Sequence, residues 1–316
     1  MIYPMALANC VVSVLALIKR DVDPTLLAQV DFITSEDQKS EKQVSLYMPS
    51  ESADDPAVQH LADGGWNKYD SLVFMTNWQQ SMYNLFLGVP YSAGVVMPNA
   101  IEPIITTKKN EDDINLLFVG DPRNGLDVAF NAFQKISPRN PNVTLYVYSD
   151  FSVFGNLKTK ANKSNLKFCD AVRGHPMVMF TTIDKDDIGM QGKIPVLDKC
   201  HILLFPNHFP EASYTTLIEC MSAEMMCIHT SYSSLPETSL GMTAMYGHTE
   251  DISAHVNKFY QELENAINLY NRTSVRRTYG LDLAQHKIVV DDVYSWEKRL
   301  AQWNEFLKNL LTTKSH

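Results

Sequence analysis

The stretch His208-Phe-Pro-Glu211-Ala-Ser-Tyr-Thr-Thr-Leu-Ile-Glu219-Cys-Met-Ser-Ala223 carries two carboxylates eight residues apart. A short apolar run, Ile202 to Phe205, precedes it and reads as a buried strand. Pro206 to Pro210 then make a turn, and Ser213 to Met226 place apolar residues at helical spacing. The spacing predicts a helix capped by Ser213, with Glu211 before it and Glu219 about two turns inside, roughly 9 Å along the axis. The backbone amides of Ser213 to Thr215 then lie between the carboxylates. This arrangement suits a ligand with an anion in the middle and hydroxyls at both ends. Amides and the helix dipole hold a phosphate, and each carboxylate accepts paired hydrogen bonds from a vicinal diol. A sugar nucleotide has that layout. Two glutamates at this spacing also arise from one exposed side chain and one partner of the helix dipole, so the pair alone leaves both readings open.

Composition limits what can position such a pair. At 316 residues the chain predicts two domains of ordinary size. Its 45% hydrophobic and 20% charged content is that of a globular protein with ample core. A formal charge of −9 argues against a broad nucleic-acid-binding surface, which needs clustered Lys and Arg. Cys10, Cys169, Cys200, Cys220 and Cys227 lack paired metal spacings and are odd in number, which makes a disulfide framework unsuitable and a reducing, cytoplasmic compartment the simplest expectation. Cys220 and Cys227 are expected to pack as small hydrophobes. The apolar run Ala6 to Ile18 has no basic leader, is too short to span a bilayer and is interrupted by Asn9 and Cys10, so it predicts a buried helix rather than a transmembrane segment.

Along the chain, strand and helix signals alternate. Val30–Thr34 and Gln43–Met48 read as strands, and the loop Pro49–Pro56 opens after the second of them. Ser71–Thr76 is a third strand; Asn77 to Tyr83 opens a helix that Gly88 closes, and a further strand from Gly94 ends at Pro98-Asn99. The polar run Thr106 to Asp113 reads as a linker. A second series begins with the strand Ile114–Val119, the turn Gly120-Asp-Pro-Arg123-Asn-Gly125 and a helix over Leu126–Ile136. Val143–Tyr148 and Met177–Thr181 are further strands, with Asp184–Met190 following the latter. The opening stretch adds strand and helix, Met226–Ser231 adds a strand, and Ser233 to Thr238 is its terminal loop. Repetition of this unit predicts doubly wound parallel sheets. Asp251–Tyr270 and Tyr294–Leu311 are amphipathic helices, with Trp296 and Trp303 on one buried face. The Gly120–Gly125 turn, with its arginine, offers an anion site but matches neither the P-loop nor the dinucleotide fingerprint. His60 reads as a surface histidine, or as one approaching the cleft.

These residues resemble the nucleotide-sugar glycosyltransferases with two Rossmann-like domains, the GT-B fold, and in particular the glycogen-synthase-like glycosyl transferases group 1. Glu211 to Glu219 matches the family's Glu-x7-Glu motif, and Ser234-Leu-Pro-Glu237 matches the loop one strand later. Val95 to Ile101 resembles the strand and Pro-Asn turn ending the first domain. Val119-Gly120 through Val128 resembles the first strand-turn-helix of the donor domain, and Trp296-Glu297 the start of the last helix. The match is co-linear over roughly residues 66 to 306.

The resemblance implies an α/β fold with a short first domain at 1–108, a donor domain at 109–290 and a helix at 291–316 returning to the first domain. It implies a retaining, metal-independent transfer from a nucleotide-diphosphate sugar, with no cofactor, to a glycan, lipid-linked sugar, protein or DNA base, the last not favoured by the acidic charge. Glu211 is expected to face the sugar with Ala212, Ser213 and Tyr214 beside it, and Glu219 to hold the ribose. Arg123 is expected to neutralise the diphosphate beside Gly120 and Asn124. The family places Arg or Lys immediately before the turn's last glycine. Here Asn124 has that place, with Lys158, Lys160, Lys163, Arg173 and Lys185 as substitutes. Pro236 and Glu237 are expected to shape the cleft. A non-catalytic binding or assembly protein with the same fold is the alternative.

Overall fold

The structure, a computed structural model, describes residues 7–314 apart from 39, 51, 108, 157–158, 160–161 and 183–194. The first unit comprises α1 (Leu7–Asp21), α2 (Pro24–Leu27), β1 (Val30–Ile33), β2 (Val44–Tyr47), β3 (Ser71–Phe74), α3 (Asn77–Leu87) and β4 (Gly94–Val96). Its four strands are parallel and lie side by side in chain order. Side chains alternate across a strand, so β2 and β3 feed two cores. Val44, Leu46 and Val73 pack on one face with Val14 and Ile18 of α1, while Tyr47, Leu72 and Phe74 pack on the other with Tyr83 and Leu87 of α3. Gly88, at φ 66°, ends α3 in the left-handed conformation that glycine adopts without strain.

The second unit runs through β5 (Ile114–Val119), α4 (Leu126–Ile136), β6 (Val143–Tyr148), α5 (Lys163–Gly174), β7 (Val178–Thr181), β8 (Ile202–Phe205), α6 (Thr215–Ser222), β9 (Met226–Thr230), α7 (Leu235–Thr238), β10 (Ala244–Tyr246) and α8 (Ile252–Tyr270). Its six strands are all parallel in the order β10-β9-β8-β5-β6-β7. The winding therefore reverses once, between β5 and β8, as in the doubly wound dinucleotide-binding sheets. Period-two alternation again builds two cores. Leu116, Phe118, Ile202 and Leu204 meet α4 and α8, whereas Leu117, Val119, Leu203 and Phe205 meet Leu217, Ile218 and Met221 of α6. The helices after β5 and β8 thus leave to opposite faces.

Two long helices complete the chain, α9 (Thr273–Val293) and α10 (Trp296–Lys314). Ile101 pairs with Ser295 in an isolated parallel bridge, with Ile101 N donating to Tyr294 O at 2.8 Å and Trp296 N to Ile101 O at 3.0 Å. Both crossings between the units thus run together. From there α10 packs on the first sheet: Trp296, Trp303, Leu307 and Leu311 join the core of β2 and β3, with Trp303 fully buried. Truncating a buried Trp to Ala costs about 3–5 kcal/mol, so this helix is part of the first unit's core. The stretch Thr106–Asp113, expected as a linker, lies along the second unit, where Lys109 Nζ donates to Ala223 O at 2.7 Å.

Several sequence expectations are corrected. The helix after Glu211 starts at Thr215 with Tyr214 rather than Ser213 as its N-cap, and ends at Ser222 because Glu224 takes a left-handed φ of 54° before β9 begins. Ser233–Thr238 contains the short helix α7 rather than only a loop. His60, expected at the surface or approaching the cleft, has a side chain only 5% exposed. Its Nδ1 meets Ala57 O at 2.9 Å and its Nε2 the Tyr69 hydroxyl at 3.1 Å, and its ring lies edge-on to Tyr47. The segment Asp184–Met190 lies outside the described residues. Cys220 and Cys227 are buried free thiols, as expected of small hydrophobes. Among the described residues no helix is long and apolar enough to cross a membrane.

Three buried histidines make stability depend on pH. His201 accepts from Asn115 N through Nδ1 and donates from Nε2 to Asn110 O, which fixes a neutral tautomer. Burial, as the largest cause, pushes His201, His229 and His255 down to about 4. Unfolded imidazoles titrate near about 6.5. Between those values the unfolded chain binds more protons, so stability falls as pH drops from about 6.5 towards 4. Melting temperatures across this range are expected to decline with acidification, and a flat profile contradicts the assignment.

Candidate functional site

The carboxyl ends of both sheets face each other. Thr76, just after β3, donates through Oγ1 to Ala212 O at 2.9 Å, and Asn99, just after β4, donates through Nδ2 to Thr215 Oγ1 at 3.2 Å. Ala212 and Thr215 follow β8, so the cleft lies where the β5 and β8 loops diverge, the position at which open parallel sheets bind ligands. Among the described residues the first sheet has no such reversal.

The β5–α4 turn is shaped by its glycines. Gly125, at φ 100°, begins α4, and a Cβ there would lie 2.0 Å from Pro206 O. Only a residue without a side chain lets this turn pack against the start of the β8 loop. Gly120, at φ 128°, is held by Ser149 Oγ on its carbonyl at 2.7 Å. Tyr214 reaches across from the N-cap of α6 and donates its hydroxyl to Val119 O at 2.6 Å, while its ring stacks on Phe205 at 3.8 Å. Burial holds the Tyr214 phenol well above its ordinary value, so it stays a neutral donor.

Glu211 and Asn124 are brought together from opposite loops. Asn124 Nδ2 donates to Glu211 Oε1 at 2.6 Å, and Glu211 N donates to Ser233 Oγ at 3.0 Å. Asn124 Oδ1 accepts from His208 N at 2.7 Å and Phe209 N at 3.2 Å. Glu219 sits four residues into α6, about 6 Å along its axis, and is buried. Ala212 and Ser213 are buried between the two carboxylates in sequence. Measured from the cap, the axial separation is shorter than expected because the N-cap is Tyr214, one residue later than Ser213.

Arg123 lies in the same turn, where its Nε donates to Asp121 Oδ1 at 2.9 Å and Oδ2 at 3.1 Å, and its Nη2 also reaches Asp121. Of the substitutes, Arg173 packs over Phe151 and Phe180 at 4.9 and 5.0 Å, and Lys163 begins α5. Lys158, Lys160 and Lys185 lie outside the described residues.

The sequence reasoning missed three contributors. His208 Nε2 meets Asp127 Oδ1 at 3.1 Å. Burial acts to raise the Asp127 carboxyl, but the hydrogen bond and charge of His208 and the amides at the start of α4 outweigh it and leave the group below its ordinary value. Ser233, beside the Ser234–Glu237 motif, and Thr76, at the end of a recognised strand, were each visible only as strand-end polar residues. Glu237 joins the two units: its Oε1 accepts from Asn77 N at 2.9 Å and Asn77 Nδ2 at 2.8 Å, and its Oε2 from Trp78 N at 3.0 Å. A carboxylate of the second unit thereby compensates the dipole of α3 in the first. Among the described residues no group of three or more His, Cys, Asp or Glu side chains could hold a metal ion.

No family model matches the chain, and no curated protein matches it in sequence. Solved structures do. A glycosyltransferase from Rickettsia africae is similar with a TM-score of 0.66 and 12% identity, over 98% of this chain and 82% of that one. Sucrose-phosphate synthase from Thermosynechococcus elongatus gives 0.61 and 14%, over 87% and 70%. The Anabaena protein HepE in complex with UDP and glucose gives 0.60 and 12%, over 84% and 72%. The chain has the GT-B fold of these glycosyltransferases.

Two substitutions test this construction. Gly125→Ala forces a positive φ and a backbone clash, and is expected to cost more than about 2 kcal/mol in urea unfolding; an unchanged midpoint contradicts the packing. Glu237→Ala removes the acceptor for two amides of α3 and is expected to cost about 1 kcal/mol by the same measurement.

Proposed function

We propose that the chain binds a nucleotide-diphosphate sugar at the strand-order reversal and transfers the sugar to a hydroxyl acceptor, with retention and without a metal ion. One observation carries this reading: Glu211 and Glu219 flank the start of α6 in the crevice between β5 and β8, where the carboxyl edges of the two sheets meet. The fold agrees, and HepE of Anabaena was solved with UDP-glucose. Glu211 accepts hydroxyls of the transferred sugar, with the backbone of Ala212, Ser213 and Tyr214 beside it. Glu219 holds the ribose diol inside α6. Gly120 and Asn124 form the turn facing the phosphates, and Arg123 neutralises the diphosphate as the anomeric bond breaks. Arg123 serves this role by exchanging Asp121 for phosphate oxygens, since its guanidinium is now paired in its own turn. The acceptor is a glycan, a lipid-linked sugar, a protein or, less in keeping with the acidic charge, a DNA base. A cytoplasmic site of action fits the scattered free cysteines.

A second reading has its own support. Arg123 is engaged by Asp121, and the position before Gly125 carries the neutral Asn124, so a binding or assembly protein that holds a nucleotide sugar without turning it over also fits. A product assay separates the two: nucleotide binding with neither transfer nor donor hydrolysis supports the second.

Glu211→Ala is expected to lower donor turnover at least about a hundredfold, the worth of one or two charge-assisted hydrogen bonds, while circular dichroism stays that of the native fold. Unchanged turnover of a nucleotide sugar by this variant refutes the assignment. A thermal-shift panel of nucleotide sugars identifies the donor to use, because a ligand of the native state raises its melting point.

A further inference from the structure

Asn124 sits where the family resemblance places a cation, yet its contacts are those of an amide. Its oxygen accepts from His208 N and Phe209 N at 2.7 and 3.2 Å, and its nitrogen donates to Glu211 Oε1 at 2.6 Å. Two N–H donors on one side and a carboxylate on the other define the amide's orientation. The side chain is 7% exposed, and its own backbone N–H is held by Asp121 O at 3.0 Å. A lysine or arginine here offers no acceptor to the amides of His208 and Phe209. An aspartate accepts from those amides but sets a second carboxylate against Glu211. Asparagine meets both demands within the reach of this turn.

We infer that Asn124 is a positioning residue: it fixes the Glu211 carboxylate, and the turn before it, in the orientation presented to the donor sugar, in place of a phosphate-facing cation. The inference rests on the reading of Glu211 as the sugar-binding carboxylate. Its mechanical basis is that β5 and β8 are neighbours whose following helices diverge, so only a side-chain bridge ties their loops together above Gly125 and Pro206. The Arg123 guanidinium, one residue earlier in the same turn, is engaged by Asp121.

The test uses the full chain with Asn124→Asp, Asn124→Ala and the double variant Asn124→Asp/Glu211→Gln. Calorimetric titration with UDP-glucose and with UDP reads the two halves of the donor separately. Asn124→Asp keeps the acceptor for His208 and Phe209, and is expected to weaken UDP-glucose at least about tenfold more than UDP at mildly alkaline pH. Lowering the pH restores binding, because two adjacent carboxylates share a proton. Equal losses for UDP and UDP-glucose place Asn124 against the phosphates and overturn the inference. Melting curves without ligand supply the independent arm: Asn124→Asp is expected to lose stability at mildly alkaline pH and regain it either on acidification or with Glu211→Gln, whereas Asn124→Ala regains none. Absence of that rescue overturns the contact. A wild-type chain that binds neither nucleotide rules out UDP-glucose as the donor, and the melting arm still decides whether Asn124 holds Glu211.

Discussion

A single reversal of winding in the second sheet governs the rest of the molecule. Because β5 lies between β8 and β6, the helices that follow β5 and β8 depart to opposite faces, α4 into one core and α6 into the other. Their first turns therefore separate, and a crevice opens above two adjacent strand ends. The base of that crevice is made by close backbone approach at Gly125 and Pro206 and by the phenol of Tyr214 on Val119. Glu211, Arg123 and Asn124 belong to the two loops that diverge there, and Glu219 projects from the helix that one of them begins.

The two units are joined differently at the hinge and at the cleft. At the hinge, Ile101 and Ser295 run in parallel, and Lys287 Nζ donates to Ile104 O and Ser222 O at 2.6 Å each while pairing with Asp291 at 2.8 Å. Beyond it, α10 fills the core of the first sheet with Trp303. At the cleft, hydrogen bonds join the two units: Thr76 to Ala212, Asn99 to Thr215, and the amides of α3 to Glu237. Water replaces polar partners of this kind at small net cost, whereas exposing Trp303 costs several times more. The geometry thus favours a fixed hinge and an exchangeable cleft, which suits a site formed between the carboxyl edges of two sheets.

Charged groups of the β5–α4 turn meet partners close by. Asp121 neutralises Arg123, and Asp127 pairs with His208. The amide of Asn124 completes the set by receiving two backbone donors and serving one carboxylate. Within this turn Arg123 is held by Asp121, and the hydrogen bonds of the Asn124 amide hold the neighbouring loop in place.

Sequence alone determined the elements whose cause is local. Apolar runs of four to six residues gave β5, β6 and β8, Gly88 and Gly125 marked helix boundaries, and Trp296 and Trp303 marked a buried face, because period and backbone conformation are written into neighbouring residues. The Glu211–Glu219 pair was legible for the same reason. Elements with weak local signals were not: β10 is three residues long, α5 carries only Cys169 and Val172 in the core, and α9 buries only Leu283 and Val290 over 21 residues. Only the tertiary structure decided that Asn124 meets Glu211, that Asp121 holds Arg123, that His60 packs between tyrosines, and that Glu237 serves a helix of the other unit. Three of these pairings join residues from 9 to 160 positions apart, and even the Asp121–Arg123 pair depends on a side-chain direction. Strand order and side-chain orientation set them, and neither is encoded in the period of any one segment.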